Sequence, residues 1–541
     1  MQNFLTIILA ILFFSTSFSQ APVQRPKLIV GIVVDQMRWD YLYRFYERYG
    51  DKGFKRLLND GFSCENTFIP YAPTVTACGH ASIYTGSVPA INGITGNNWF
   101  DYENYKPMYC TQDDSVQTVG STTNAGAQSP KNLLTTTIGD ELMLATNFKS
   151  KVVGVAIKDR GSILPAGHSA TAAYWYDSKT GDFITSTFYM NALPTWVNDF
   201  NAKKYPDTYY KEGWKTLYPL NSYVHSTADI NTFENKPFGQ DKVGFPYDLS
   251  KFAGNNYSAV TSTPYGNTLT SEMAKAALVN EQLGADDITD MLAISFSSPD
   301  YVGHAFGPNS VEAEDIFLRL DKEIADLLDF FDTKVGKGQY TVFLSADHGA
   351  AHVPAFVKSK RMPGGVIDPT PAFQELNQLL KKEFGKADLV LDMINYQVNL
   401  NTRLFDGSKI NIKAVKTYIV NYLSTMPGID RVFDLDDVQT IPLNETIRKM
   451  VNNGYSHNRS GQVQVIFKPQ FIEGFGAGGT THGLWNPYDA HIPLVWYGAG
   501  IKKGLTNRET YMTDIAATLA AMLKIQMPSG CIGTVISEAI Q

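Results

Sequence analysis

Short, continuous apolar runs alternate along this chain with longer amphipathic segments. Leu28–Val34 reads LIVGIVV and stops at Asp35. Residues 151–157 (KVVGVAI), 290–296 (DMLAISF) and 340–345 (YTVFLS) have the same character. Runs of this length, closed by turn or charged residues, predict strands buried on both faces. Helical periodicity falls between them. Residues 40–59 predict a helix and 133–147 an amphipathic one. The clearest helix covers 311–331, with apolar positions at Ile316, Leu318, Leu320, Ile324, Leu327 and Leu328. A late run at 492–497 precedes a terminal helix over 513–523. Together these elements predict an α/β fold: a mixed, mostly parallel central sheet with helices on both faces.

Two stretches depart from this alternation. Residues 165–260 are rich in Tyr, Phe, Trp, Asn and Pro, with weak periodicity. Residues 365–470 suggest helices at 373–384 and 412–423 and a strand at 389–394. Both are expected to be insertions, acting as cap regions, in a single catalytic domain spanning 20–541. Residues 1–19 are expected to be a signal peptide, because the uncharged apolar run 2–14 is short for a membrane span and leads to small residues at Ser17 and Ser19. Cleavage near Gln20 would leave a periplasmic or secreted chain without a membrane span.

Composition narrows the function classes. The 541 residues carry 46 Lys+Arg and 53 Asp+Glu, a net charge of −7. That balance gives no basic surface for a nucleic-acid partner. The four cysteines, Cys64, Cys78, Cys110 and Cys531, are too few to build a disulfide scaffold. Their connectivity is not readable from spacing, and neither is oligomeric state.

Polar residues cluster just past the predicted strand ends, the edge at which open α/β sheets bind ligands. Asp35 follows the first strand, Asp300-Tyr-Val-Gly-His304 the third, and Asp347-His348-Gly349 the fourth. A glycine-rich loop presents His482. Three Asp and three His supply six oxygen and nitrogen donors, enough for two divalent ions with open positions. Paired ions suit in-line displacement at phosphorus. The segment Pro73-Thr74-Val75-Thr76-Ala77-Cys78-Gly79-His80 resembles a loop entering a helix, where a hydroxyl meets an anion-favouring N-terminus. Local sequence leaves Thr74, Thr76 and Cys78 open as nucleophiles.

Taken in order, Val-Val-Asp35, Pro-Thr-Val-Thr76-Ala-Cys-Gly-His, Asp300-x-x-x-His304, Ala-Asp347-His348-Gly and Thr-His482-Gly resemble the alkaline phosphatase superfamily. The closest likeness is to its threonine-nucleophile branch, which holds type I phosphodiesterases/nucleotide pyrophosphatases and phosphate-irrepressible periplasmic alkaline phosphatases. This resemblance implies two zinc ions per chain and Thr76 as nucleophile. It places Asp35, Asp347 and His348 on the zinc that binds Thr76, and Asp300, His304 and His482 on the zinc facing the leaving group. It implies that Asn97 donates to a phosphoryl oxygen. Lys158-Asp-Arg160 resembles the cation pair of the threonine-type phosphomonoesterases, which suits a monoester dianion. The other histidines match no ligand position, although His80 and His352 lie near ligands in sequence.

The chain departs from two neighbouring patterns. No carboxylate cluster suggests the third, magnesium site of serine-type enzymes, and Cys78-Gly-His-Ala-Ser lacks the Arg of the sulfatase signature. The expected function is release of inorganic phosphate from small phosphate monoesters through a phosphothreonine intermediate. A phosphodiesterase/nucleotide pyrophosphatase and a non-catalytic exported binding protein are the alternatives.

Overall fold

In the computed structural model, residues 25–239, 244–474, 476 and 478–541 are described. The expected signal peptide lies outside them. The uninterrupted apolar runs form the centre of a ten-stranded sheet. Its five middle strands are, in order, Tyr340–Ser345, Leu28–Val34, Asp290–Phe296, Val152–Ala156 and Ala172–Asp177, all mutually parallel. Every residue of Leu28–Val34 and of Asp290–Phe296 is buried. These strands need apolar side chains on both faces because helices cover both.

Register decides where the polar residues emerge. Val34 is level with Phe296, and Val33 with Ser345. Asp35 and the segments carrying Asp300 and Asp347 therefore leave the sheet at one edge. Asp300 and His304 share the helix Ser298–Phe306. Thr76 opens the helix Thr76–Thr85, all ten residues of which are buried. Two glycines let that helix lie so deep. A β-carbon on Gly31 would collide with the Tyr84 hydroxyl and the Phe343 ring, and one on Gly79 with the backbone and β-carbon of Asp347.

Helices Val311–Phe331, Ile412–Ser424 and Asp514–Leu523 fall close to expectation. The predicted helix over 40–59 does not form as one piece. It is divided into Tyr41–Arg44, a 3-10 turn at Tyr46–Arg48, and Phe54–Asp60. The break is made from a distance: the Asp321 carboxylate accepts hydrogen bonds from the backbone N–H groups of Gly50 (2.7 Å) and Phe54 (2.8 Å), which pulls the chain back between them. The 133–147 segment narrows to the helix Ile138–Ala145, started by a Thr137–Asp140 capping box.

The stretch 165–260 begins as part of the main sheet, with Ala172–Asp177 and Asp182–Ser186 extending it. Residues 365–470 build a four-stranded antiparallel sheet around a separate apolar cluster that includes Leu376, Val398, Ile419 and Val463. All four cysteines are free thiols. Among the described residues no helix is long and apolar enough to cross a membrane.

Gly79→Ala is expected to lower unfolding stability by about 1–3 kcal/mol through overpacking against Asp347, measured from the denaturant midpoint at unchanged slope.

Candidate active site

Three buried carboxylates, Asp35, Asp300 and Asp347, meet at the sheet edge. Like charges in a low-dielectric setting oppose one another's ionisation. Burial, then Asp347, pushes Asp35 well above the ordinary carboxylate value. Burial acts the same way on Asp300 and Asp347, but there neighbouring side chains outweigh it. His304 and Lys158 carry Asp300 well below its ordinary value, and His348 with His80 lowers Asp347.

The three expected histidine ligands are held alike. The Nδ1 atom of His482 lies 2.7 Å from the Thr74 carbonyl, that of His304 2.8 Å from the Thr480 carbonyl, and that of His348 3.0 Å from the Gly349 carbonyl. An Nδ1–H donated to a carbonyl fixes the tautomer and turns the Nε2 lone pair outward, the usual support of a metal-binding imidazole. Each Nε2 faces acid. His304 Nε2 is 3.2 Å and His482 Nε2 3.5 Å from Asp300 Oδ1, and His348 Nε2 is 3.5 Å from Asp35 Oδ1. Burial drives His348 down to about 3 and lowers His482, so both rings stay neutral. They stack with centroids 3.5 Å apart.

Two donor groups result, Asp300–His304–His482 and Asp35–Asp300–His348, each with ligand atoms within 4.8 Å of one another. Asp300 belongs to both. Asp347 stands beside the second, its Oδ2 3.6 Å from His348 Nε2. Asp35 Oδ1 and Asp347 Oδ2 are buried with no hydrogen-bond partner. Orphaned carboxylate oxygens next to outward-turned imidazoles fit divalent ions bound through nitrogen and oxygen.

The nucleophile candidate sits above this cluster. Thr76 Oγ1 is 3.5 Å from His348 Nε2 and 3.4 Å from Lys158 Nζ. Of the alternatives open in the sequence, the Thr74 hydroxyl donates to the Leu484 carbonyl and the Cys78 thiol to the Ile94 carbonyl. Asn97 Oδ1 accepts from the Ala77 N–H at 3.0 Å, which leaves its Nδ2 donors for a guest. Lys158 lies deeper than a strand-end cation, with Nζ 2.7 Å from Asp35 and 2.6 Å from Asp300. Arg160 donates to the Tyr109 hydroxyl at 3.0 Å, while that hydroxyl donates to Asp159 at 2.5 Å. Its buried Nε has no partner.

Three supporting residues carried no sequence signal beyond proximity. Gln36 links two of the carboxylates, its backbone N–H donating to Asp347 Oδ1 (3.1 Å) and its Nε2 to Asp300 Oδ1 (2.6 Å). Tyr109 orients Arg160. His80 has both ring nitrogens engaged, with the Thr76 carbonyl at 2.9 Å and Ser295 Oγ at 2.8 Å, so it is a brace and not a ligand. His352 lies further out, between Asn309 and Arg38.

A buried threonine hydroxyl at a helix start, above two groups of potential metal donors at the edge of a parallel sheet, is an arrangement suited to a metal-dependent α/β hydrolase. A family model, type I phosphodiesterase/nucleotide pyrophosphatase, matches residues 29–404, and the chain belongs to that family. It is 51% identical over 549 residues to alkaline phosphatase PhoV of Synechococcus elongatus, covering 99% of each chain. It is 50% identical to alkaline phosphatase PafA of Elizabethkingia meningoseptica, covering 96% of this chain and 95% of that one. The crystal structure of wild-type PafA superposes with a TM-score of 0.94, covering 96% of this chain and 100% of that one. A protein of Myroides odoratus named a calcium-transporting ATPase is 54% identical, covering 96% of this chain and 95% of it.

Asp300→Ala and His304→Ala each take one donor from the Asp300–His304–His482 group, and each is expected to lower bound metal, measured by elemental analysis of the purified proteins.

Proposed function

We propose that this chain is an exported, two-zinc enzyme that releases phosphate from monoesters through a phosphothreonine intermediate. Its activity class is that of an alkaline phosphatase, a phosphomonoesterase, in keeping with the half of its residues shared with PhoV and PafA over nearly the whole length. The observation that carries the mechanism is the convergence of three imidazoles, each pinned through Nδ1, and three carboxylates beneath the Thr76 hydroxyl. Asp35, Asp347 and His348 would hold one ion and Asp300, His304 and His482 the other. When bound, such ions supply Lewis acidity that lowers the pKa of a hydroxyl or water and stabilises a departing oxygen.

Thr76 Oγ1 attacks phosphorus in line, and the proton it gives up is balanced by the one the departing alkoxide takes from solvent to leave as the alcohol. The bond to the substrate alcohol breaks on the Asp300–His304–His482 side. Water then cleaves the phosphothreonine and frees inorganic phosphate. Asn97 donates from Nδ2, its carbonyl end already fixed by Ala77. Lys158 and Arg160 offset charge on the remaining phosphoryl oxygens, so their contribution is electrostatic and preorganised. A monoester dianion carries more terminal charge than a diester, and two cations near Thr76 favour it. The Arg160 Nε without a partner supports that preference over the diesterase reading suggested by the family's name.

Thr76→Ala is expected to abolish turnover at near-native zinc content; near-native activity in this variant refutes the assignment. A chiral phosphate ester should be hydrolysed with net retention, and inversion rules out the covalent step. Replacing Lys158 and Arg160 by Ala should reduce kcat/KM for an aryl phosphate more than for its methyl diester, whereas equal losses argue against the two cations as the source of specificity.

A further inference from the structure

The stretch 365–470 touches the site through one turn. Its strands Val390–Ile394 and Gln397–Leu400 pair antiparallel with Ile394 level with Gln397, so Asn395 and Tyr396 alone make the connection. Both residues lie in the left-handed region, at φ 55° and 59°. Two-residue hairpin turns with this backbone favour Asn followed by Gly. Asn395 fits that preference. Tyr396 does not, because a β-carbon crowds the backbone there and glycine would turn without strain. A residue kept in such a conformation is held by its surroundings, and such residues cluster at functional sites. The surroundings of this turn are two residues of the proposed catalytic machinery. The Tyr396 hydroxyl donates to the His482 carbonyl at 2.9 Å, and its ring lies against Gly483, where a β-carbon would collide with it. The Asn395 amide donates to the Asn98 carbonyl at 2.7 Å. The same amide covers Gly96, where a β-carbon would collide with it. Asn395 thus touches the residues on both sides of Asn97.

We infer that this turn is a positioning element for the reaction: Tyr396 fixes His482 for metal binding, and Asn395 fixes Asn97 for phosphoryl binding. His482 is then anchored from two elements, through Nδ1 by the Thr74 carbonyl and through its own carbonyl by Tyr396. Asn97 is anchored at Oδ1 by the Ala77 N–H, at its carbonyl by the Cys110 N–H (3.0 Å), and along its flanks by Asn395. Both anchors from the turn act on backbone, which leaves the working ends of the two side chains to metal and substrate. The inference rests on the roles given to His482 and Asn97 in the phosphomonoesterase reading above.

The test uses two minimal variants and two measurements. Tyr396→Phe removes the hydroxyl and keeps the ring. Asn395→Gly removes the amide and keeps a residue suited to positive φ. Each is assayed for the rate of zinc loss to a chelator and for the inhibition constant of inorganic phosphate with zinc in excess. Tyr396→Phe is expected to lose zinc about tenfold faster, the lower end of what removing a support of a ligating histidine costs, with phosphate inhibition unchanged. Asn395→Gly is expected to weaken phosphate inhibition about fivefold, the scale of one neutral hydrogen bond, with zinc retention unchanged. A general loosening of the fold moves both quantities together in both variants, and that result overturns the inference, as does no change in either. Asn395→Asp, which keeps the shape and tolerates positive φ but cannot donate, decides the matter if Asn395→Gly does not fold. Either residue read alone decides its own role. Zinc content and turnover of 4-nitrophenyl phosphate in the wild-type protein are the separate controls. If either is absent, the phosphomonoesterase reading fails; if both are present and the variants do not diverge, only the role of the turn fails.

Discussion

The repulsion among Asp35, Asp300 and Asp347 is the constraint around which this molecule is organised. Parallel strands in matched register deliver all three carboxylates to one buried edge. Their charges are tolerable there only if cations and directed donors surround them. Lys158 bridges two of them, Gln36 donates to two, and His304 and His348 outweigh burial at Asp300 and Asp347. Asp35 remains the least compensated, with one oxygen orphaned. The edge is therefore poised to take up positive charge, and the helix that Thr76 opens is set over it.

Most of the scaffold was legible because it is locally encoded. Strands buried on both faces must be apolar throughout, so their runs stand out, and the candidate ligands follow them by a few residues. The pattern failed where a distant group overruled local propensity. Nothing in residues 40–59 announces that Asp321 will capture the N–H groups of Gly50 and Phe54 and divide a helix. The supporting contacts were hidden for the same reason. Gln36 follows Asp35 in sequence, yet its importance lies in reaching Asp300. Tyr109 matters only once Arg160 is beside it. The sharing of Asp300 between donor groups is likewise a property of three-dimensional placement, invisible in the spacing of Asp300 and His304.

The two sides of the site differ in origin. The side around Thr76 is made from helix starts and strand ends of the main sheet, where backbone geometry leaves little freedom. The side beyond His304 is made by the stretch from Gly365 to Thr480, whose own sheet and apolar cluster allow it to vary without disturbing the carboxylates.

The pinning of His482 to the carbonyl of Thr74 also bears on how the protein is assembled. The donor atoms come from residues scattered between positions 35 and 482, and no short segment contains a complete set. A growing or partly folded chain therefore has nothing with which to hold a metal ion at this site. The donor set closes only when the last loops dock.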